Sequence, residues 1–186
     1  IERGSDVGGT WYWNRYPGAR SDVESMQYSY QFSNELQEEW EWTEKYATQP
    51  EILKYARHVA DRFKLRENIK FNTELKSAKY QEIENCWELN DNNNNLLKSK
   101  FCIMATGCLS TLNKPNFKNI NSFKGKTYHT GNWPHTNVDL KDKKVGVIGT
   151  GSSAIQCIPE IIKDVKHLHV FQRTPHYTVP ARNAPL

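Results

Sequence analysis

The chain has 186 residues, enough for one or two domains, and its 6 Trp and 9 Tyr supply ample apolar surface for a core. A net charge of only +4, spread along the sequence, argues against nucleic acid or a membrane surface as partner. No apolar run reaches membrane-spanning length and no signal peptide is visible. Cys86, Cys102, Cys108 and Cys157 stand far apart with no CxxC pair, so the expectation is a cytoplasmic protein with reduced thiols and no metal site. The first residue is Ile1 rather than Met and the last four are Asn183-Ala184-Pro185-Leu186, which suggests a piece of a longer protein.

Taken in order, Ile1-Glu2 reads as the end of a strand, and a carboxylate there is where a dinucleotide fold grips a ribose; an ordinary exposed glutamate is the alternative. Asp6 to Asp22 shows no sustained period and is rich in glycine and aromatics, the composition of an ordered loop with a task. Gly8 and Gly9 let backbone approach a flat ligand, while Arg15, Arg20 and Asp22 supply fixed charge beside it. The competing reading is a loop whose aromatics plug a core edge. Polar and aromatic residues then alternate to Phe32, including Tyr28 and Tyr30.

Thr48-Gln49-Pro50-Glu51 has the form of a capping box with proline in the first turn. Ile52, Tyr55, Ala56, Val59, Ala60 and Phe63 recur at helical spacing and predict a packing helix of about four turns, with His58 on its solvated side. Residues 69–73, 75–80, 87–89 and 96–104 read as short strands, with the Asp91-to-Asn95 run as a polar turn between two of them. Phe101 to Gly107 is expected to be a buried strand ending on small residues beside a cofactor crevice, with a plain buried strand and turn as the alternative.

Lys144-Val145-Gly146-Val147-Ile148, the turn Gly149-Thr150-Gly151-Ser152-Ser153-Ala154, an apolar-periodic run to Lys163 and His167 to Arg173 predict strand, glycine turn, helix and strand. The first strand is expected to be buried on both faces. Gly149 suits a tight turn, Gly151 a close approach of pyrophosphate, and Ala154 close packing of helix on strand. Free N–H groups of the first helical turn would meet the phosphates, aided by the helix dipole. The second strand leads into Gln172-Arg173-Thr174 where an acid would grip a ribose 2′-hydroxyl, so a guanidinium suited to a 2′-phosphate points to NADP(H) rather than NAD(H). A phosphate-free turn with a surface arginine is the alternative.

Between these parts, Phe123-x-Gly125-x-x-x-His129-Thr130-x-x-Trp133-Pro134 matches the fingerprint of type I Baeyer–Villiger monooxygenases at every fixed position. The chain resembles this family throughout, with the phenylacetone and cyclohexanone types nearest in local wording. The resemblance implies an α/β fold of two Rossmann-like dinucleotide-binding domains, both incomplete, with a small antiparallel β meander in the FAD part. Residues 1–110 would be a partial FAD-binding domain, 111–143 a linker carrying the fingerprint, and 144–186 the start of an NADP-binding domain.

It also implies FAD and NADPH as cofactors, and a ketone and O₂ as substrates. Reduced FAD would take up O₂ as a flavin peroxide, which would insert one oxygen beside the carbonyl to give an ester or lactone. By resemblance, Glu2 would hold the FAD ribose, and Gly8, Gly9, Thr10, Trp11, Tyr12, Trp13, Asp22 and Tyr28 would line the flavin. Arg20, Ser21 and Asp22 would approach the nicotinamide end of NADP. Gly149, Thr150, Gly151, Ser152, Ser153, Ala154, Ile155 and Gln156 would carry its pyrophosphate, and Arg173 with Thr174 its 2′-phosphate. Asp22 matches the catalytic carboxylate that pairs with the family's essential arginine, which lies later in such chains, and His129 is implicated as a hinge or domain-coupling residue.

Two departures stand out: the family's N-terminal GxGxxG is absent, and Cys108 replaces an amide side chain of the phenylacetone type. Two other functions remain open at this level: a flavin-containing monooxygenase acting on nitrogen or sulfur, and a non-catalytic NADPH-binding module.

Overall fold

The structure is a computed structural model that describes all 186 residues. In chain order it contains α1 (Thr10–Trp13), α2 (Asn34–Glu39), α3 (Gln49–Arg62), β1 (Leu75–Gln81), β2 (Cys86–Asp91), β3 (Leu96–Ser99), β4 (Lys144–Ile148), α4 (Ser152–Ile161) and β5 (His167–Phe171).

The core is built on α3. Its apolar stripe puts Ile52, Tyr55 and Val59 against Leu36 of α2 and against Trp42 and Ala47 of the intervening segment, with Trp11, Trp40 and Phe63 packed around them. Burying each of the larger aliphatic side chains is worth about 1.5–3 kcal/mol, so this cluster carries most of the local stability. Pro50 occupies the first turn, where its missing N–H costs nothing. The capping box does not form. Thr48 makes no side-chain cap, and the Glu51 carboxylate instead accepts from the Thr43 amide at 2.8 Å and the Thr43 hydroxyl at 2.9 Å. His58 is not simply solvated either. Its ring lies 5.3 Å from that of Trp40, and Nε2 is buried without a hydrogen-bond partner, 3.6 Å from Glu39.

β1, β2 and β3 form the expected antiparallel meander, in register from Gln81↔Cys86 to Ser77↔Asn90 and from Trp87↔Ser99 to Asn90↔Leu96. The polar turn that follows β2 is organised by buried Asp91. Its carboxylate accepts from the Asn93 and Asn95 amides at 2.8 and 2.9 Å, from the Asn95 side chain at 2.9 Å and from Lys70 at 3.3 Å. The Asn95 bonds, followed by the Asn93 amide and Lys70, outweigh desolvation and hold its pKa down to about 2.

Two expected strands are not strands. Residues 69–73 do exchange backbone bonds with the start of the chain, Glu2 donating to Lys70 and Thr73 to Glu2, both at 2.9 Å. The ladder is interrupted at Asn72, whose φ is 52°. Residues 101–107 form no ladder, and Phe101 and Ile103 are 81% and 90% exposed. A strand buried on both faces needs neighbours at both edges and a layer on each side. No segment of these 186 residues supplies them, and Cys102 is therefore half-buried in coil rather than inside a strand.

β4 and β5 pair in parallel, Lys144↔His167 to Ile148↔Phe171, and α4 connects them. The helix turns Cys157 and Ile161 inward, both buried. Contrary to a both-faces-buried reading, Ile148 is 65% exposed, because only one face of this pair is covered by a helix.

Candidate dinucleotide and flavin site

The glycine turn is shaped by the β4–β5 pairing. Because Ile148 sits opposite Phe171, both strands end at the same sheet edge, and the Gly149 amide donates to the Phe171 carbonyl at 2.8 Å. Gly149 has φ 101°, which an L side chain would strain. The Gln172 side chain donates to Thr150 Oγ1 at 3.0 Å, so the segment after β5 is tied to the turn and Arg173 and Thr174 follow directly beside it, both exposed.

Helix α4 begins at Ser152 with Gly151 as an N-cap that offers no side chain. The Ala154 and Ile155 amides close onto the Gly151 carbonyl at 2.9 and 3.0 Å, while those of Thr150, Gly151, Ser152 and Ser153 donate to no protein group. A β-carbon at Gly149 or Gly151 would meet nothing within 4 Å, so the turn itself borders open space. Unpaired N–H groups at the positive end of a helix dipole fit a pyrophosphate.

The second half of the site is the aromatic loop. Its sequence shows no regular period, yet the structure places the short helix α1 within it, held from several sides. The Asp6 carboxylate bridges Arg57 at 2.7 Å and Arg66 at 2.5 Å. Burial opposes ionisation of Asp6, but the Arg66, Val7 and Arg57 hydrogen bonds prevail and keep its pKa below the usual range. Gly8 lies against α3, where a β-carbon would come within 2.4 Å of Leu53. The Trp11 indole donates to Tyr28 Oη at 2.9 Å, and the Gln49 side chain bonds the Trp11 carbonyl. Arg3 stacks over Trp13 at 4.5 Å, and the Tyr12 hydroxyl and Ser5 Oγ share a 2.8 Å bond. Gly9 and Thr10 remain exposed at the head of α1. Glu2 is half-buried and accepts from the Gly4 amide at 2.6 Å.

The two halves meet through Gln156. Its Oε1 accepts from Tyr16 Oη at 2.8 Å and from the Arg20 amide at 3.3 Å, and its Nε2 donates to the Arg20 carbonyl at 3.1 Å and to Asp22 Oδ1 at 2.8 Å. Arg20 also pairs with Glu44 at 3.4 Å, and buried Ser21 joins the Ala47 carbonyl by its amide at 3.0 Å. The turn helix, Arg20, Ser21 and Asp22 are thus brought together, whereas His129 stands apart from them. Its Nδ1 accepts from the Gly131 amide at 3.1 Å and caps the one-turn 3-10 helix Thr130–Asn132.

The residue of this segment that lies against the aromatic loop is instead His135, just past the fingerprint, 5.5 Å from the Tyr12 ring and 6.0 Å from Trp13. It borders a cleft of about 340 Å³ between Arg15 and Pro17 on one side and Trp133 and Pro134 on the other. His135, Asp6, Arg57, Arg66 and Gln49 were not singled out from the sequence. His135 lies immediately after Trp133-Pro134, Asp6 opens the aromatic loop and Gln49 sits in the Thr48-to-Glu51 pattern, so their neighbourhoods carry a signal. Their long-range partners do not show there, and Arg57 and Arg66 carry no local mark.

Comparison with known proteins agrees with this arrangement. The profile of the pyridine nucleotide-disulphide oxidoreductase family matches residues 16–183. A Baeyer–Villiger monooxygenase of Pseudooceanicola batsensis is 48% identical over 97% of this chain and 33% of its own length. The solved structure of an oxidized steroid monooxygenase bound to NADP superposes with a TM-score of 0.93 and 53% identity, over 100% of this chain and 35% of that one. The OTEMO complex with FAD and NADP gives a TM-score of 0.94 and 45% identity, over 100% of this chain and 36% of that one. The chain spans about a third of the length of the curated relatives it matches. With its open N–H cradle, its aromatic loop and the fingerprint between them, the chain belongs to the pyridine nucleotide-disulphide oxidoreductase family and is similar there to the Baeyer–Villiger monooxygenases.

Proposed function

We propose that this chain forms the nucleotide-binding centre of an FAD- and NADPH-dependent Baeyer–Villiger monooxygenase, which inserts one oxygen of O₂ beside a ketone carbonyl to give an ester or lactone. The observation that carries this reading is the direct seating of the glycine-turn helix on the aromatic loop, with four unpaired amides at residues 150–153 beside the open glycine turn. FAD, when bound, supplies the electron transfer and oxygen activation that no side chain provides.

The residues of this chain bind and orient. Thr150, Gly151, Ser152 and Ser153 present amides to the NADP pyrophosphate, and Arg173 with Thr174 reads the 2′-phosphate. Glu2 takes the FAD ribose, and the loop from Gly8 to Trp13 lies along the flavin with Tyr28 behind Trp11. Asp22, held by Gln156, pairs with an arginine supplied from outside these 186 residues, and a carboxylate fixing a cation where negative charge develops is electrostatic preorganisation.

His129 shapes the turn that precedes Trp133-Pro134, which supports a hinge role in the linker over an acid or base. Residues 1–110 serve as the FAD part, 111–143 as the linker and 144–186 as the NADP part. No helix is long and apolar enough to cross a membrane, and four unpaired cysteines suit the reducing cytoplasm.

The test is an assay of the complete FAD-loaded protein with NADPH, O₂ and either a ketone or a thioether. Ester or lactone formed in step with NADPH oxidation is the expected result. Sulfoxide without ester would assign the protein to nitrogen and sulfur oxidation instead, and NADPH binding without O₂ uptake would make it a non-catalytic module.

A further inference from the structure

We infer that Gln156 is a positioning residue: its side chain, rather than gripping the NADP pyrophosphate, locks the Asp22 carboxylate to the helix that carries the phosphate turn. This rests on the oxygenase reading above for the role of Asp22, but the geometry behind it is independent. A primary amide has two acceptor lone pairs and two N–H groups, and all four are engaged, by Tyr16, the Arg20 amide, the Arg20 carbonyl and Asp22. The orientation of the amide is dictated by its partners. A backbone N–H can only donate to it, and a carbonyl or carboxylate oxygen can only accept from it. No valence remains for a phosphate oxygen.

The fit is close along the whole loop. A β-carbon at Gly18, where φ is 79°, would come within 2.2 Å of the Gln156 carbonyl oxygen, so the loop backbone lies directly on the helix. Gln156 lies one helical turn beyond Ser152, so the amide that holds Asp22 and the free N–H groups of the turn belong to one rigid helix. The two nucleotide-binding parts are therefore joined at the point where one presents phosphate-binding amides and the other its carboxylate. A shift of the turn moves Asp22 with it.

The experiment uses the complete FAD-loaded protein and the variants Gln156→Leu and Gln156→Glu. The readouts are NADP⁺ affinity by equilibrium titration, ester formed per NADPH oxidised, and hydrogen exchange at the Arg20 amide. For Gln156→Leu we expect NADP⁺ affinity within about threefold of the parent, ester per NADPH reduced about tenfold or more with O₂ going to hydrogen peroxide, and Arg20 exchange faster by about tenfold. For Gln156→Glu we expect ester per NADPH to recover as pH falls. Two carboxyl groups at hydrogen-bond distance take up one shared proton, and the protonated introduced group can again donate to Asp22. This pH profile keeps the test decisive if the leucine variant fails to retain FAD.

The inference is overturned if Gln156→Leu weakens NADP⁺ about tenfold or more while ester per NADPH is preserved, which is the behaviour of a phosphate ligand. It is equally overturned if Arg20 exchange is unchanged, or if Gln156→Glu shows no recovery at low pH. If the parent protein makes no ester, the oxygenase reading fails by itself, and the Arg20 amide still decides whether Gln156 holds the loop.

Discussion

At the residue scale, Arg173 and Asp91 show two uses of charge. Arg173 is exposed beyond β5 beside a turn whose amides are free, a place where a guanidinium gains most from a second phosphate. Arg173→Ala is expected to weaken NADPH by about 2 kcal/mol, roughly 30-fold, and NADH far less, as read by titration of the complete protein. Equal losses for both would remove the 2′-phosphate from its role. Asp91 is buried and structural. Its folded pKa of about 2 lies below the unfolded value near 3.9, so the stability it contributes is complete above pH ~4 and is lost as pH falls toward 2. The thermal midpoint should drop across that window in the parent, and by less in Asp91→Asn. The Asp91-to-Asn95 run reads as a turn from composition alone. That one of its members is an internal anchor does not, because burial depends on where Lys70 and the meander converge.

At the scale of elements, α3 is the piece on which the aromatic loop is mounted. It packs Leu53 under Gly8, sends Gln49 to the Trp11 carbonyl and holds Asp6 through Arg57. Ile52, 2% exposed, is central to the cluster beneath. Ile52→Ala should cost about 2–5 kcal/mol through lost contacts and a residual cavity, lowering the denaturation midpoint and loosening FAD at the same time. The helix itself is legible, since its apolar spacing and Pro50 follow local rules. Its cap is not, because Thr43 lies eight residues before Glu51 and competes for the same carboxylate. The β4–α4–β5 unit is likewise plain from period and glycine spacing, whereas the Gln156 contact spans 134 residues to Asp22 and leaves no local trace.

On the whole-molecule scale, surface area explains where strand expectations failed. A compact monomer of this mass would expose about 9,200 Å² by the usual scaling, but this chain exposes 13957 Å² and buries only 17 of 186 residues. The excess is comparable to a large obligate interface. Part of it lies where apolar side chains of expected strands lack a cover: Phe101, Ile103 and Met104 in the segment expected to be a strand, and Ile148, Val170 and Phe171 on the open face of β4 and β5. Their sequences carry the apolar signature of buried strands, and what is missing is the layer that would bury them, which lies outside these 186 residues. The isolated chain should therefore behave as an incompletely packed domain. It should bind a hydrophobic dye strongly, melt over a broad range, associate with itself at micromolar concentration, and give no ester from a ketone when supplied with FAD and NADPH. The complete protein should show a sharp transition and weak dye binding. A cooperative melt and ketone oxygenation by the 186 residues alone would mean that these faces need no cover and that the site is finished within them.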